Sequence, residues 1–198
     1  MTPASDDAAS ARRGKVDVVD AAMAVLDEHG IAGLSMRRIA DALDLQVSAL
    51  YWHFPNKQAL LAAVSARIVG GADAVRSDDL ADIAAALRDR LLAHRDGAEI
   101  VSSSLALGLL DLPARTRLVD AARGAGLADA AARVAADTLV HFVIGFTFHE
   151  QQRLHAAVVG AAAPVADLSP EAVGDSPAHD FAAGLELIVS GIRTAARA

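Results

Sequence analysis

The chain has 198 residues, 54% of them apolar, a formal net charge of −7 at pH 7 and no cysteine. This length allows one or two domains with a sizeable core, and the absence of cysteine excludes disulfides and thiolate metal sites. Because much of the apolar content is alanine and few positions are aromatic, the composition favours packed helices over sheets.

The first 14 residues are polar and lack the apolar core of a signal peptide, so we expect them to form a flexible arm. No apolar run approaches the roughly 20 residues that a helix needs to cross a bilayer. We therefore expect a soluble cytoplasmic protein with no membrane partner.

The charge is unevenly distributed along the chain. Residues 1–69 contain seven Lys or Arg and eight Asp or Glu, so that part is nearly neutral, and the remaining residues carry −6. An acidic body with a nearly neutral head that has local basic spots is compatible with a small DNA footprint.

The segment from Lys15 to His29 has apolar residues at the spacing of an amphipathic helix, which Gly30 is expected to end. Ser35 is a natural N-cap for a second helix, "MRRIADAL". Asp44 follows that helix at a position that favours a left-handed residue, for which glycine is the usual choice and aspartate is tolerable.

A third, short helix is predicted from about Val47 to Phe54, where the following Pro55 ends it. Asn56 then caps a longer helix that continues to Gly70. Two short helices joined by a tight turn, with a helix on either side, describe a helix-turn-helix unit, although any small helical bundle has similar spacing.

The outer side chains of the third helix favour the helix-turn-helix interpretation. Leu50 and Phe54 form its inward stripe, and the residues left outward or flanking are small and polar at the N-terminal end and ring-bearing at the C-terminal end: Gln46, Ser48, Ala49, Tyr51 and His53. Arg37 and Lys57 lie where the elements that flank a recognition helix contact phosphates.

The stretch "GLSMRRIADALDLQVSALYWHFPNKQALL" resembles the DNA-binding head of the TetR family of bacterial repressors. The resemblance covers roughly residues 15 to 70 and implies base-edge contacts by Gln46, Val47 and Ser48 and a groove or backbone contact by Tyr51. It also implies phosphate contacts by Arg37, His53 and Lys57, and it makes Trp52 a structural residue that packs inward.

The remaining chain, 71–198, is predicted to be a larger helical body for ligand binding and dimerisation, which completes an all-α fold. Its predicted helices cover 78–97, closing at Gly97, then 98–111, 113–126 from Pro113, 127–159 and 180–198, with a loop over 161–179. The last two carry apolar stripes that either face a symmetry mate or belong to the core of the body.

The body segments "LLAHRDGA", "HFVIGFTFHEQQ" and "FAAGLELIVSGI" are similar to the tetracycline-repressor branch of the family. The resemblance implies a ligand pocket near Ile83, Leu87, Val101, Ser104, Val140 and His149. Ile83 and Leu87 stand where that branch has polar residues for the ligand, and Val101 and His149 stand at its two magnesium-binding positions. We therefore expect an apolar effector without magnesium, with Ser104 and His149 as polar anchors, although His149 could instead contact a dimer interface.

No catalytic constellation and no cofactor motif is present, so we expect neither an enzyme nor a resident cofactor. His141 and His149 are eight residues apart, whereas metal ligands on a helix prefer spacings of three or four, so we expect no metal site. Two hypotheses follow: a dimeric, effector-responsive repressor of a palindromic operator, or a helical small-molecule-binding or scaffold protein with weak or no DNA binding.

Overall fold

A computed structural model describes residues 14–70, 77–158, 160 and 176–197. Within these ranges the regular secondary structure consists of helices without strands, which confirms the all-α prediction. The helices are α1 (Lys15–Gly33), α2 (Met36–Leu43), α3 (Val47–His53), α4 (Lys57–Val69), α5 (Leu80–Leu92), α6 (Gly97–Ala106), α7 (Pro113–Gly124), α8 (Asp129–Val158) and α9 (Pro177–Ala195). The predicted arm over 1–13 and most of the predicted loop over 161–179 lie outside the described residues.

The chain divides into two compact units. The first contains residues up to 68 together with 94–111, so α6 belongs to the same unit as α1 to α4. The second contains 69–93 and 112–198, with α5, α7, α8 and α9. The predicted boundary at residue 70 stays a prediction.

Local signals set the ends of the helices in the first unit. Gly30 has φ 68°, which interrupts the regular helix at the predicted position, although α1 resumes for a further turn. The Ser35 hydroxyl accepts a hydrogen bond from the amide of Arg38, and the Asn56 carboxamide accepts one from the amide of Ala59. Both predicted caps are confirmed, because each side chain satisfies an amide that the first helical turn leaves unpaired.

The second unit is built around α8. This helix packs against α5, α7 and α9, and its buried face includes Ala136, Leu139 and Val143. Pro113 begins α7, as predicted. The prediction that Gly97 closes the preceding helix is wrong: α5 ends at Leu92, and Gly97 is the first residue of α6.

Length and composition alone would allow α8 to cross a membrane, from Asp129 to Ala157. The sequence expectation concerned an uninterrupted apolar run, and the charged residues Asp137 and Glu150 interrupt α8. Core helices of globular proteins pass the same test of length and composition, and 44% of the apolar window of α8 is buried inside the chain.

Candidate DNA-binding interface and helical body

The turn between α2 and α3 depends on a left-handed residue at Asp44. Asp44 has φ 55° and ψ 47°, and its amide lies 3.2 Å from the carbonyl oxygen of Asp41. The amide of Leu45 donates to the carbonyl of Ala40 at 2.9 Å. These bonds close the C-terminus of α2 and turn the chain within three residues, which gives the predicted helix-turn-helix geometry.

The inward stripe of α3 is confirmed. Leu50 is fully buried and Phe54 is 5% exposed, with the Lys15 ammonium 5.9 Å from the centre of the Phe54 ring. A helix this short has room for one buried stripe, so its remaining side chains face outward or lie at the edges.

The residues that are predicted to contact bases lie at the N-terminal end of α3. Gln46 and Ser48 are exposed, Val47 and Ala49 are half-buried, and Gln46 makes no capping hydrogen bond with its own side chain. Its carboxamide therefore keeps the donor and acceptor pair that bidentate recognition of a base requires.

Trp52 is 89% exposed, and the expectation that it packs inward is wrong. Successive residues of an α-helix are rotated by about 100°, so Trp52 lies about 200° from Leu50. It shares the outer face of α3 with Ser48 and Tyr51, and Tyr51 is 49% exposed. The position of Trp52 relative to Leu50 was the sequence signal that could have placed it outside.

The two neighbouring arginines of α2 differ in their contacts. The Arg38 guanidinium donates to the carbonyl of Gly33 at 2.9 Å. Arg37 is exposed and has no side-chain partner within the described ranges. His53, the last residue of α3, and Lys57, the first residue of α4, are half-buried. Arg37 is thus the α2 arginine whose guanidinium remains available to a phosphate.

The segment His94 to Asp96 holds the end of α1 in place within the first unit. His94 Nδ1 lies 3.2 Å from both carboxylate oxygens of Asp27, and the Arg95 guanidinium donates to the carbonyl of Glu28 at 2.9 Å. The Asp96 carboxylate accepts a hydrogen bond from the amide of Ile31 at 2.9 Å. These contacts join residues more than sixty positions apart next to the break at Gly30.

Family models cover both halves of the chain. Residues 18–64 match bacterial regulatory proteins of the tetR family, and residues 73–196 match the tetracyclin repressor-like C-terminal domain. The chain belongs to the TetR family. It is a transcriptional regulator with an N-terminal helix-turn-helix DNA-binding domain, and members of this family are DNA-binding transcription factors and not enzymes.

Relatives match the TetR-family chain over most of its length. The class A tetracycline repressor protein from transposon 1721 of Escherichia coli is 32% identical, with 88% of each chain covered. BioQ of Mycobacterium smegmatis is 42% identical, with a TM-score of 0.77 and coverage of 92% of this chain and 99% of that chain. A structure of BioQ with its natural double-stranded DNA operator is 40% identical, with a TM-score of 0.74 and the same coverage.

The predicted effector residues of this TetR-family chain are mostly buried. In the second unit Ile83, Leu87 and Val140 are each at most 4% exposed. In the first unit Val101 is fully buried and Ser104 is 2% exposed.

The two predicted polar anchors have different surroundings. The Ser104 hydroxyl lies 2.8 Å from the Ser65 hydroxyl, which itself donates to the carbonyl of Ile100 at 3.0 Å. His149 is exposed on α8. Ser104 thus already has a protein partner, and no cluster of three metal-ligating side chains occurs in the described part of the chain.

Proposed function

We propose that this TetR-family regulator is a dimeric repressor that binds a palindromic operator through α3 and releases it when a small apolar molecule binds. The observation that carries the proposal is the outer face of α3. There Ser48, Tyr51 and Trp52 are exposed beside the fully buried Leu50. A repressor of this kind acts in the cytoplasm, where bacterial DNA lies.

The N-terminal end of α3 reads base edges, because recognition helices enter the major groove with this end. Gln46, Val47 and Ser48 supply an amide, methyl groups and a hydroxyl for that purpose, and Ala49 allows close approach to the groove. Phosphate and backbone contacts fix the register, and they come from the flanking side chains Arg37, Tyr51, His53 and Lys57.

Exposed leucine and valine on the last two helices support a homodimer. Leu187 of α9 is 76% exposed, and Val134 and Leu154 of α8 are 65% and 60% exposed. Leu187 lies on the face of α9 opposite its buried residues Phe181 and Leu185. Leu187 thus lies outside the face that α9 buries in its own unit, and a symmetric partner would cover it. Two heads then reach half-sites about 34 Å apart on a palindrome.

The test of DNA binding uses the purified chain and a duplex from the region upstream of its own gene. Fluorescence anisotropy at several salt concentrations should show specific binding that weakens with salt, and a scrambled duplex of equal length is the control. Sedimentation should give a dimer, and Leu187→Glu should shift it towards monomer. Equal affinity for both duplexes would favour the helical small-molecule-binding or scaffold protein instead.

The effector is proposed to be largely apolar and bound without metal. In the second unit the buried Ile83, Leu87 and Val140 offer apolar surface to a ligand. Val101, which belongs to the first unit, has no side-chain atom that could bind magnesium. Binding favours a conformer in which α4 moves and changes the spacing of the two heads. Effector binding must then lower the affinity for the operator, and operator binding must lower the affinity for the effector by the same factor. The reason is that a ligand shifts an equilibrium only by its differential affinity for the two states.

Titration of the protein–operator complex tests the effector class. Tetracycline is added with magnesium and with a chelator, beside a panel of apolar compounds. Release by an apolar compound that is indifferent to chelator and weakened by Leu87→Glu supports the proposal. Release by tetracycline that requires magnesium overturns it.

A further inference from the structure

The interior of the second unit contains a buried ion pair between α5 and α8. The Arg88 guanidinium donates through Nη2 to both carboxylate oxygens of Glu150, at 2.8 and 3.0 Å. The two side chains are 11% and 14% exposed. The carboxylate charge balances the guanidinium charge, so the pair is close to neutral as a whole. A buried pair of this kind is stable only if the remaining N–H groups of the guanidinium also have hydrogen-bond acceptors.

One of those N–H groups has no acceptor. Arg88 Nε is buried and unpaired within the described residues, and the residue as a whole is 9% exposed. Buried donors in native proteins are almost always paired, with protein, water or a ligand. An oxygen atom of a water molecule or of a ligand would satisfy the Nε–H.

A second buried polar group without a hydrogen-bond partner lies on the same face of α8 as Glu150. Thr147 is fully buried and its hydroxyl has no partner in the described ranges, three residues before Glu150. Helical threonines commonly bond back to the carbonyl four residues earlier. Thr138 and Thr194 do so here, at 2.8 and 2.9 Å, although both are exposed. Thr147 is the buried threonine of α8, and its hydroxyl remains available for another partner.

An aromatic cluster adjoins this polar pair. The centre of the Phe181 ring lies 4.7 Å from the guanidinium carbon of Arg88. Phe181 stacks on Phe142 at 5.3 Å and meets Phe146 edge-on at 5.5 Å. Such rings favour planar, ring-bearing molecules, which stack on them or meet their edges.

We propose that Arg88 and Thr147 are the polar end of a small-molecule site in the second unit, whose ligand is a neutral ring compound with a carbonyl or hydroxyl oxygen. The oxygen accepts from Arg88 Nε–H and pairs with the Thr147 hydroxyl, and the ring lies against the cluster of Phe142, Phe146 and Phe181. A carboxylate is disfavoured because Glu150 already neutralises Arg88. The inference rests on the proposed effector-binding role of the body and moves its polar anchors from Ser104 and His149 to these two residues.

Three probes of similar size distinguish the contributions of the ring, the acceptor oxygen and a negative charge. 1-Tetralone has a ring and a carbonyl, naphthalene lacks the acceptor, and 1-naphthoate is charged. Calorimetric titration of the full chain should show binding of 1-tetralone, with the other two weaker by about tenfold or more. Equal binding of naphthalene, or no binding of 1-tetralone up to its solubility, would overturn the assignment.

Thr147→Val keeps the shape of the side chain and removes the orphan hydroxyl. Its thermal stability without ligand should equal or exceed that of the wild type, and its affinity for 1-tetralone should fall by about tenfold. Thr138→Val, which removes an exposed hydroxyl bonded to Val134, is the matched control and should leave that affinity unchanged. An unchanged affinity in Thr147→Val, or an ordered water that occupies the polar end in a crystal grown with 1-tetralone, would overturn the proposal.

Operator binding is measured in parallel. If 1-tetralone binds but the affinity for the operator is unchanged, the ligand site is supported and its role as an effector site is overturned. Absence of operator binding by the wild type, with the calorimetric result intact, would overturn the repressor function and leave the ligand assignment standing.

Discussion

Asp96 occupies the space beside Gly30 that any larger residue would need. Its carboxylate oxygen accepts a hydrogen bond from the next amide, that of Ile31, and a Cβ at Gly30 would lie 2.5 Å from that oxygen. Gly30 also has φ 68°. The break in α1 and its attachment to the segment before α6 thus depend on the same position.

We expect Gly30→Ala to destabilise the protein by about 1–3 kcal/mol, since it combines left-handed strain with a steric overlap. Denaturant titration followed by circular dichroism measures the change. Gly124→Ala is the control, because a Cβ there meets nothing within 4 Å, and it should be neutral or slightly stabilising. Equal changes in the free energy of unfolding for the two substitutions would show that the close contact between Gly30 and Asp96 is not needed for stability.

Trp52 should report operator binding directly. It is the single tryptophan of the chain and is 89% exposed, so its emission in the free protein should resemble that of tryptophan in water. Saturating operator should quench or shift this emission, and a scrambled duplex should do so less at equal concentration. Trp52→Ala should change stability by no more than about 0.5 kcal/mol, as for other surface sites. Emission that is unchanged by operator would place Trp52 outside the interface.

Lys57→Ala should weaken binding to every DNA sequence alike, because a phosphate contact has no sequence information. The slope of log affinity against log salt should decrease by about 0.9 for each phosphate that a subunit no longer neutralises. Arg133→Ala, an exposed charge on α8, controls for the general change in charge. If both variants keep the wild-type slope, Lys57 does not contact phosphate.

Val47→Gln should change the base preferred at one position of each half-site. Valine offers methyl groups that suit a thymine methyl, whereas glutamine pairs bidentately with adenine, a difference of about 1–3 kcal/mol in discrimination. Selection from a randomised duplex library measures the preference of both proteins. The same consensus from both would remove Val47 from the base-reading set.

The Arg115–Asp137 pair between α7 and α8 should make stability fall at low pH. The hydrogen bond from the Arg115 guanidinium, 3.0 Å between Nη2 and the carboxylate, lowers the pKa of Asp137. A carboxyl group whose pKa is lower in the folded state stabilises the fold fully above the unfolded pKa of about 3.9, and this stabilisation is lost as the pH falls through the folded pKa.

The comparison of wild type with Asp137→Asn over a range of pH isolates this contribution. The wild type should be more stable near neutral pH, and the difference should shrink as the pH falls below about 4. The effect should be small, because both side chains are about two-fifths exposed to water. A difference that is constant with pH would mean that the ion pair does not contribute.

The sequence by itself determined the parts of the fold that depend on neighbouring residues. Ser35 and Asn56 cap helices because their side chains reach amides three residues ahead, and Asp44 adopts the left-handed conformation that a tight turn needs. The buried stripes of α1 and α5 follow from helical spacing alone. Each of these signals involves residues within about one helical turn of each other, so it can be recognised from the sequence alone.

Only the tertiary structure decided which distant side chains meet. The sequence left the Ser104 hydroxyl open to a ligand, whereas the fold places it beside Ser65, 39 positions away. The pairing of Arg88 with Glu150, 62 positions apart, and the unpaired hydroxyl of Thr147 depend on how α5 and α8 pack. Periodicity places a residue on a face of its own helix, but the partner on the other side is set by packing between helices, and that packing has no local signature.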